Sequence, residues 1–284
     1  MILITGITGR VGSSAARYLL ESGFAVRGLT RDDHKASASA DLGAEIMVGD
    51  LSDAESMKRA LQDISTVILV TGNGAHQLEA ECLVARESVT SGVEHLVKIS
   101  SMEAGPEATA PIPASHYKIE RFIQDTSLTY TFLRPNFFMQ NLMLFAHSIK
   151  TSNQFSLPLG KAKTGIIDAD DVGEITARVA MDIPKNSSIR ALSGEVLLDF
   201  HHVARQISQV LGREITYHEQ THEDFHAHLS KVIPSPWHVE AVSQLFVEIA
   251  NGALESLSTD AQDILGRKPN DVLTFIEKNK FVFA

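Results

Sequence analysis

Three glycines at positions 6, 9 and 12, in the stretch ITGITGRVG, constrain this chain more than any other feature. They follow the apolar run ILIT (2–5) and precede a segment in which Val11, Ala15 and Leu19 recur at helical spacing. A strand, a glycine turn and a helix in that order open a βαβ unit. The first glycine permits a tight turn, the second a close approach of main chain to a ligand, and the third close packing of helix on strand. The first N–H groups of the helix and the positive end of its dipole suit a pyrophosphate. Gly6, Thr8, Gly9, Arg10, Val11 and Gly12 are therefore the candidate phosphate-binding residues. A glycine triplet alone is weak evidence, and its place between strand and helix is what gives it weight.

The first half of the chain repeats this alternation. Apolar runs FAVRGLT (24–30), EIMVG (45–49), TVILV (66–70), HLVKIS (95–100) and YTFLR (130–134) are separated by helical patterns at 53–61, 76–91 and 116–126. That rhythm predicts an α/β fold, a doubly wound parallel sheet covered on both faces. After Pro135 the pattern predicts a helix over 136–148 and strand-like pieces near 154–157 and 165–168, then a helix capped by Asp170 or Asp171. From 199 onward helices dominate, with one strand-like piece, EITYHE (214–219). The expected organisation is a Rossmann dinucleotide-binding domain over 1–150 with a returning segment near 165–198. A smaller, mostly helical substrate lobe covers 199–284. No Gly/Ser tract separates the two, so the lobe should pack on the sheet domain.

The end of the second strand bears on which dinucleotide is held. A carboxylate there usually meets free ribose hydroxyls, whereas arginine meets a 2′-phosphate. This strand ends GLTR, placing Arg31 at the position ahead of Asp32 and Asp33, and Arg10 in the glycine turn adds a second guanidinium. NADP(H) is favoured over NAD(H). Asp50 and Leu51, after the third strand, are placed to meet the adenine. Thr71, Gly72 and Asn73, after the fourth, lie at the carboxyl edge where such sheets bind ligands.

Composition narrows the partners. The chain carries 35 acidic and 25 basic residues, a formal charge of −10, with no basic run of the kind that tracks a phosphate backbone. Nucleic-acid binding is disfavoured, and no apolar run reaches the length of a membrane helix. The single cysteine, Cys82, lies in the apolar stretch LEAECLVA and reads as a core residue. Together with an opening that lacks a basic leader, this predicts a cytoplasmic protein acting on a small molecule. A protein partner or a second copy of the chain stays open.

The turn TGxTGxxG, Arg31, GDL (49–51), KISS (98–101) and His116…Glu120 leading to YTFLRPNFFMQN (130–141) together resemble the NmrA-like group of atypical short-chain dehydrogenase/reductases. The resemblance runs the length of the chain, and its tail is similar to those of the quinone and triphenylmethane-dye reductases. It implies an NADP-binding Rossmann domain, a substrate lobe and a cleft between them, with backbone at Pro135 and Asn136 approaching the nicotinamide. It also implies roles for Ser100 and Ser101 and for a catalytic group drawn from His116, Tyr117 and Lys118. The wider superfamily uses Tyr-x-x-x-Lys, in which the lysine lowers the phenol pKa. Here the fifth position is Arg121, and a planar guanidinium does not replace an ammonium on a ribose. His116 is then an alternative acid titrating near neutrality. The expected function is NADPH-dependent reduction of a conjugated acceptor such as a quinone, for which hydride positioning matters more than acid catalysis. The alternative is a non-catalytic NADP(H) redox sensor, and Arg121 disfavours sugar-nucleotide chemistry.

Two tail features compete for attention. His222-Glu-Asp-Phe-His226 matches H-E-x-x-H, but Thr221 and Asp224 read as a helix cap, which places the motif in a first helical turn and argues against a metal site. Phe137, Phe138, Met139 and Trp237 are candidates either for the substrate wall or for the core.

Overall fold

The computed structural model describes residues 1–284. Its strands are β1 (Ile2–Ile4), β2 (Val26–Thr30), β3 (Glu45–Val48), β4 (Thr66–Leu69), β5 (His95–Ile99), β6 (Thr129–Pro135), β7 (Gln154–Leu157), β8 (Ser188–Leu192) and β9 (Thr216–Glu219). Seven form one parallel sheet in the order β3-β2-β1-β4-β5-β6-β8, while β7 and β9 pair separately. The order reverses between β1 and β4. That is the topological switch point, outside whose carboxyl ends ligands bind in such folds.

The helices are α1 (Arg10–Glu21), α2 (Ser37–Asp41), α3 (Ala54–Ala60), α4 (Gln77–Thr90), α5 (Pro111–Gln124), α6 (Ala146–Ser152) and α7 (Ala169–Met181). The tail adds α8 (Phe200–Leu211), α9 (His222–Val232), α10 (Pro236–Ala250), α11 (Asp260–Leu265), α12 (Val272–Lys278) and α13 (Lys280–Phe283). Side chains alternate across the sheet, as strand geometry requires. Ile4, Ile68 and Val97 meet Val11, Ala15 and Leu19 of α1 and Val172 and Ile175 of α7. Leu3, Val67, Leu69 and Leu96 meet Met57, Val84, Ile119 and Ile123 on the other face. With both faces covered, the strands read as continuous apolar runs.

A third core joins Phe137, Leu142, Ile149, Phe155 and Leu157 to Phe200, Ile207, Val239, Ile249 and Phe275. The packing thus groups residues 137–166 with the tail, whereas the sequence reading placed everything through 150 with the sheet. Phe155 and Phe200 are sealed within it, and truncating either to alanine costs ~3–5 kcal/mol.

Local departures from expectation have local causes. The helix expected over 136–148 starts later, as a 3₁₀ turn at Met139–Phe145 running into α6, because Phe138 is held extended by a bridge to Ile167. The strand-like piece near 165–168 supplies only that bridge. Helix α7 is capped by Asp168, whose carboxylate accepts from the Asp170 N–H at 3.0 Å, rather than by Asp170 or Asp171. Asp171 is instead buried against Arg267 at 2.8 Å. Helix α5 starts at Pro111, before the expected 116, since proline is tolerated where the helix N–H has no partner.

Candidate active site

The glycine turn closes through the Gly9 N–H donating to the Gly6 carbonyl at 3.0 Å. A Cβ on Gly6 would stand 2.4 Å from the Val70 carbonyl oxygen, and one on Gly12 would stand 2.1 Å from the Gly6 carbonyl oxygen. Both glycines are therefore fixed by backbone neighbours. Gly12 lies behind the turn and does not line the cleft, and the space its missing Cβ leaves is used to pack α1 against the turn. Gly6, Thr8, Gly9, Arg10 and Val11 do line it. Thr5 bolts the turn to β4, its hydroxyl donating to the Val70 carbonyl at 2.9 Å and accepting from the Val70 N–H at 3.1 Å.

The cleft runs across the carboxyl ends of β1, β2, β4, β5 and β6 and encloses about 1720 Å³. That exceeds the ~300–1,000 Å³ usual for one small ligand. At its β2 end it is lined by Arg10, Arg31 and Lys35, all exposed. Lys35 was invisible to the strand-end rule because a short turn returns it to the cleft, where it stands 3.7 Å from Asp32. Asp50 accepts from the Ser52 N–H at 2.9 Å and the Ser52 hydroxyl at 2.7 Å. Those bonds, with Arg31 nearby, hold its carboxyl below the usual range. Leu51, Thr71, Gly72 and Asn73 complete this wall. His238 of α10 reaches across, its Nε2–H donating to the Asn73 carbonyl at 2.7 Å.

At the other end lie Ser100, Ser101, Pro135 and Asn136. The Asn136 side chain is spent on structure: Nδ2 donates to the Leu254 carbonyl at 3.1 Å and Oδ1 accepts from the Phe137 N–H at 2.7 Å. The Ser100 hydroxyl is buried and has no partner within the protein, although Ser100 lines the cleft. An orphaned hydroxyl at the β5 end of the cleft and an exposed glycine turn opening a helix at its β1 end both fit a dinucleotide.

Of the three residues on α5 expected to supply catalysis, the fold brings only His116 to the cleft. Tyr117 and Lys118 do not line it, because one and two residue steps rotate them off the face that carries Ile112 and His116. Arg121 is exposed and bonds Gln124 at 2.9 Å. A different lysine serves His116. Lys98, sealed on β5, contacts Nδ1 at 3.2 Å and pairs with Glu81. Burial first, and the Lys98 charge next, push His116 well below its ordinary pKa. It is therefore a neutral imidazole and not the acid expected near neutrality. With Nδ1 accepting from the ammonium, Nε2 carries the hydrogen and makes no bond within the chain. Glu120 pairs with Arg134, which donates Nε–H at 2.9 Å, tying α5 to the β6 end that carries Pro135.

Between His116 and Asn136 the cleft is apolar, walled by Ile99, Ile112, Phe137, Phe138, Phe246 and Leu254. Met139 is sealed in the lobe core, while Trp237 packs on His238 outside the cleft. The H-E-x-x-H segment opens α9 under a Thr221 cap, and His226 faces Glu240 at 3.6 Å.

The NmrA-like family model matches residues 1–276. The chain belongs to that family. An NAD(P)H azoreductase from Xenophilus azovorans is 29% identical over 217 residues, 76% of each chain. The crystal structure of an NADPH-dependent quinone oxidoreductase from Escherichia coli, complexed with NADPH, shares the fold. It superposes with a TM-score of 0.90 at 20% identity, over 99% of this chain and 100% of that one. NmrA itself, a negative transcriptional regulator in complex with NADP, also shares it. There the TM-score is 0.82 at 16% identity, over 98% of this chain and 94% of that one. No helix of this family member is long and apolar enough to cross a membrane.

Proposed function

We propose that this protein is an NADPH-dependent reductase of a small conjugated acceptor such as a quinone. The observation that carries the reading is a cleft of about 1720 Å³ whose lining includes, besides Pro135 and Asn136, the apolar Ile99, Ile112, Phe137, Phe138, Phe246 and Leu254, and from which Trp237 is absent. A redox sensor needs a dinucleotide site but no room for an acceptor.

Gly6, Gly9 and the first turn of α1 would hold the pyrophosphate, and Arg31, Arg10 and Lys35 the 2′-phosphate. The Ser100 hydroxyl and the backbone at Pro135 and Asn136 would fix the nicotinamide end. NADPH, when bound there, supplies a hydride. His116 would donate its Nε2–H to an acceptor oxygen, a neutral electrophile whose tautomer Lys98 fixes. Phe137 and Phe246 would confine the ring, so that positioning supplies most of the rate.

The test is NADPH oxidation against benzoquinones and cationic dyes, with Gly9→Asp and His116→Ala beside the wild type. Turnover that Gly9→Asp abolishes supports the reading. Tight NADPH binding with no turnover of any acceptor overturns it in favour of the sensor.

A further inference from the structure

Reduction of a quinone consumes one hydride and one proton: NADPH, quinone and H⁺ give NADP⁺ and hydroquinone. The hydride reduces the quinone and leaves a phenolate, which the proton neutralises. His116 is neutral and its Nε2–H is only a hydrogen-bond donor, while Tyr117 stands off the cleft, so the proton needs another source.

Ser101 and Glu103 both line the cleft, and the Ser101 hydroxyl donates to the Glu103 carboxyl. When that carboxyl carries a proton the bond reverses, and Glu103 donates to Ser101 Oγ. The pair is fixed where it matters. Between them, Met102 donates its N–H to the Pro135 carbonyl at 3.1 Å, and its sulfur accepts from Asn136 Nδ2 at 3.0 Å. The Ala104 N–H closes the turn onto the Ser101 carbonyl at 3.1 Å. Burial lifts the Glu103 carboxyl above its ordinary value, outweighing the hydrogen bond from Ser101, which lowers it, and the charge of Glu248 adds to the rise. Glu248 is itself held by the Thr109 and Ala110 N–H groups at the start of α5.

We propose that Glu103, acting through the Ser101 hydroxyl, supplies the proton that accompanies hydride transfer to a quinone. The Ser101 O–H proton passes to the acceptor oxygen as the Glu103 proton passes to Ser101 Oγ. Glu103 is left as a carboxylate, which takes a proton from water at the partly exposed cleft wall. The proposal rests on the reductase reading and adds the acid to it.

A cationic triphenylmethane dye separates the two, since hydride alone converts the carbocation to the neutral leuco form and no proton is needed. Benzoquinone and dye turnover are compared in wild type, Glu103→Gln, Glu103→Asp and Ser101→Ala. Proton transfer by a positioned acid is worth ~10²–10⁴-fold, so the quinone-to-dye ratio should fall at least ~10-fold in Glu103→Gln. It should fall in the same direction in Ser101→Ala and partly recover in Glu103→Asp. An unchanged ratio in Glu103→Gln overturns the proposal and leaves the reductase standing. A wild type that binds NADPH yet reduces neither acceptor overturns both, and one that reduces dye alone overturns the proposal. For a wild type that takes quinone alone, the solvent deuterium effect on kcat decides. It must change in Glu103→Gln, and an equal effect in both proteins overturns the proposal.

Discussion

Lys98 and Glu81 form an ion pair sealed from water on both sides, with side-chain exposures of 0% and 1%. Glu81 also accepts from the Thr71 hydroxyl at 2.5 Å and from Gln77 Nε2 at 2.8 Å, while Lys98 reaches His116. One buried pair thereby ties β5, α4, α5 and the loop after β4 beneath the cleft. Removing one partner strands a buried charge, which costs ~3–5 kcal/mol, whereas an apolar replacement of both is often neutral. Lys98→Met should therefore lose about that much in urea unfolding, and Lys98→Met/Glu81→Leu should be more stable than the single variant. Additive losses would show that the charges do not interact.

The Arg31 guanidinium faces the cleft with Arg10 and Lys35 beside it. A hydrogen bond to a charged group is worth ~1.5–3 kcal/mol, or roughly 10- to 100-fold in affinity. Arg31→Ala should weaken NADPH by that factor and leave NADH nearly unchanged in a fluorescence titration. Equal losses for both would place the 2′-phosphate elsewhere.

Gly12 and Gly9 should fail in different ways. The Cβ of Gly12→Ala meets the Gly6 carbonyl oxygen at 2.1 Å, and backbone cannot yield as a side chain can. Overpacking of this kind costs ~1–3 kcal/mol or more, so the urea midpoint should drop. On Gly9 a Cβ has its nearest neighbour at 3.3 Å. That contact is with the Gly6 carbonyl oxygen and asks the turn to give by a few tenths of an ångström, so Gly9→Asp should lower the midpoint far less than Gly12→Ala and lose NADPH by charge repulsion at the phosphate site. Matching midpoints for the two variants would contradict this division.

The sheet and the glycine turn were legible because their signals are local: short continuous apolar runs for strands covered on both faces, and three glycines set between a strand and a helix. The cation at Arg31 was legible for the same reason. Lys98 stood in plain view within KISS, yet nothing in a strand pattern says that a lysine points inward to meet Glu81 and His116 from two other elements. Tyr117 and Lys118 were attractive as neighbours of His116, but the phase of α5 depends on Ile119 and Ile123 packing against the sheet. The grouping of 137–166 with the tail is likewise a property of a core assembled from distant segments.

His95 links the sheet to pH. It is fully buried on β5, Nε2 lies 3.0 Å from the Thr131 hydroxyl, and burial lowers its pKa from 6.5 to about 4. Between those values the unfolded chain takes up a proton that the native protein refuses. Stability should thus fall as pH drops from 6.5 towards 4, with a limiting slope of ~1.4 kcal/mol per pH unit for one proton. His116 acts in the same direction. Asp171 and Glu103, whose carboxyls burial raises, hold a proton more tightly when folded and so oppose it. Because these terms overlap, the wild-type curve alone cannot isolate His95. The difference between wild type and His95→Gln can, since the carboxyl groups and His116 are common to both. Urea unfolding at several pH values between 7 and 4.5 should give the variant a shallower decline than the wild type. Parallel declines would mean that His95 is protonated in the folded protein without penalty.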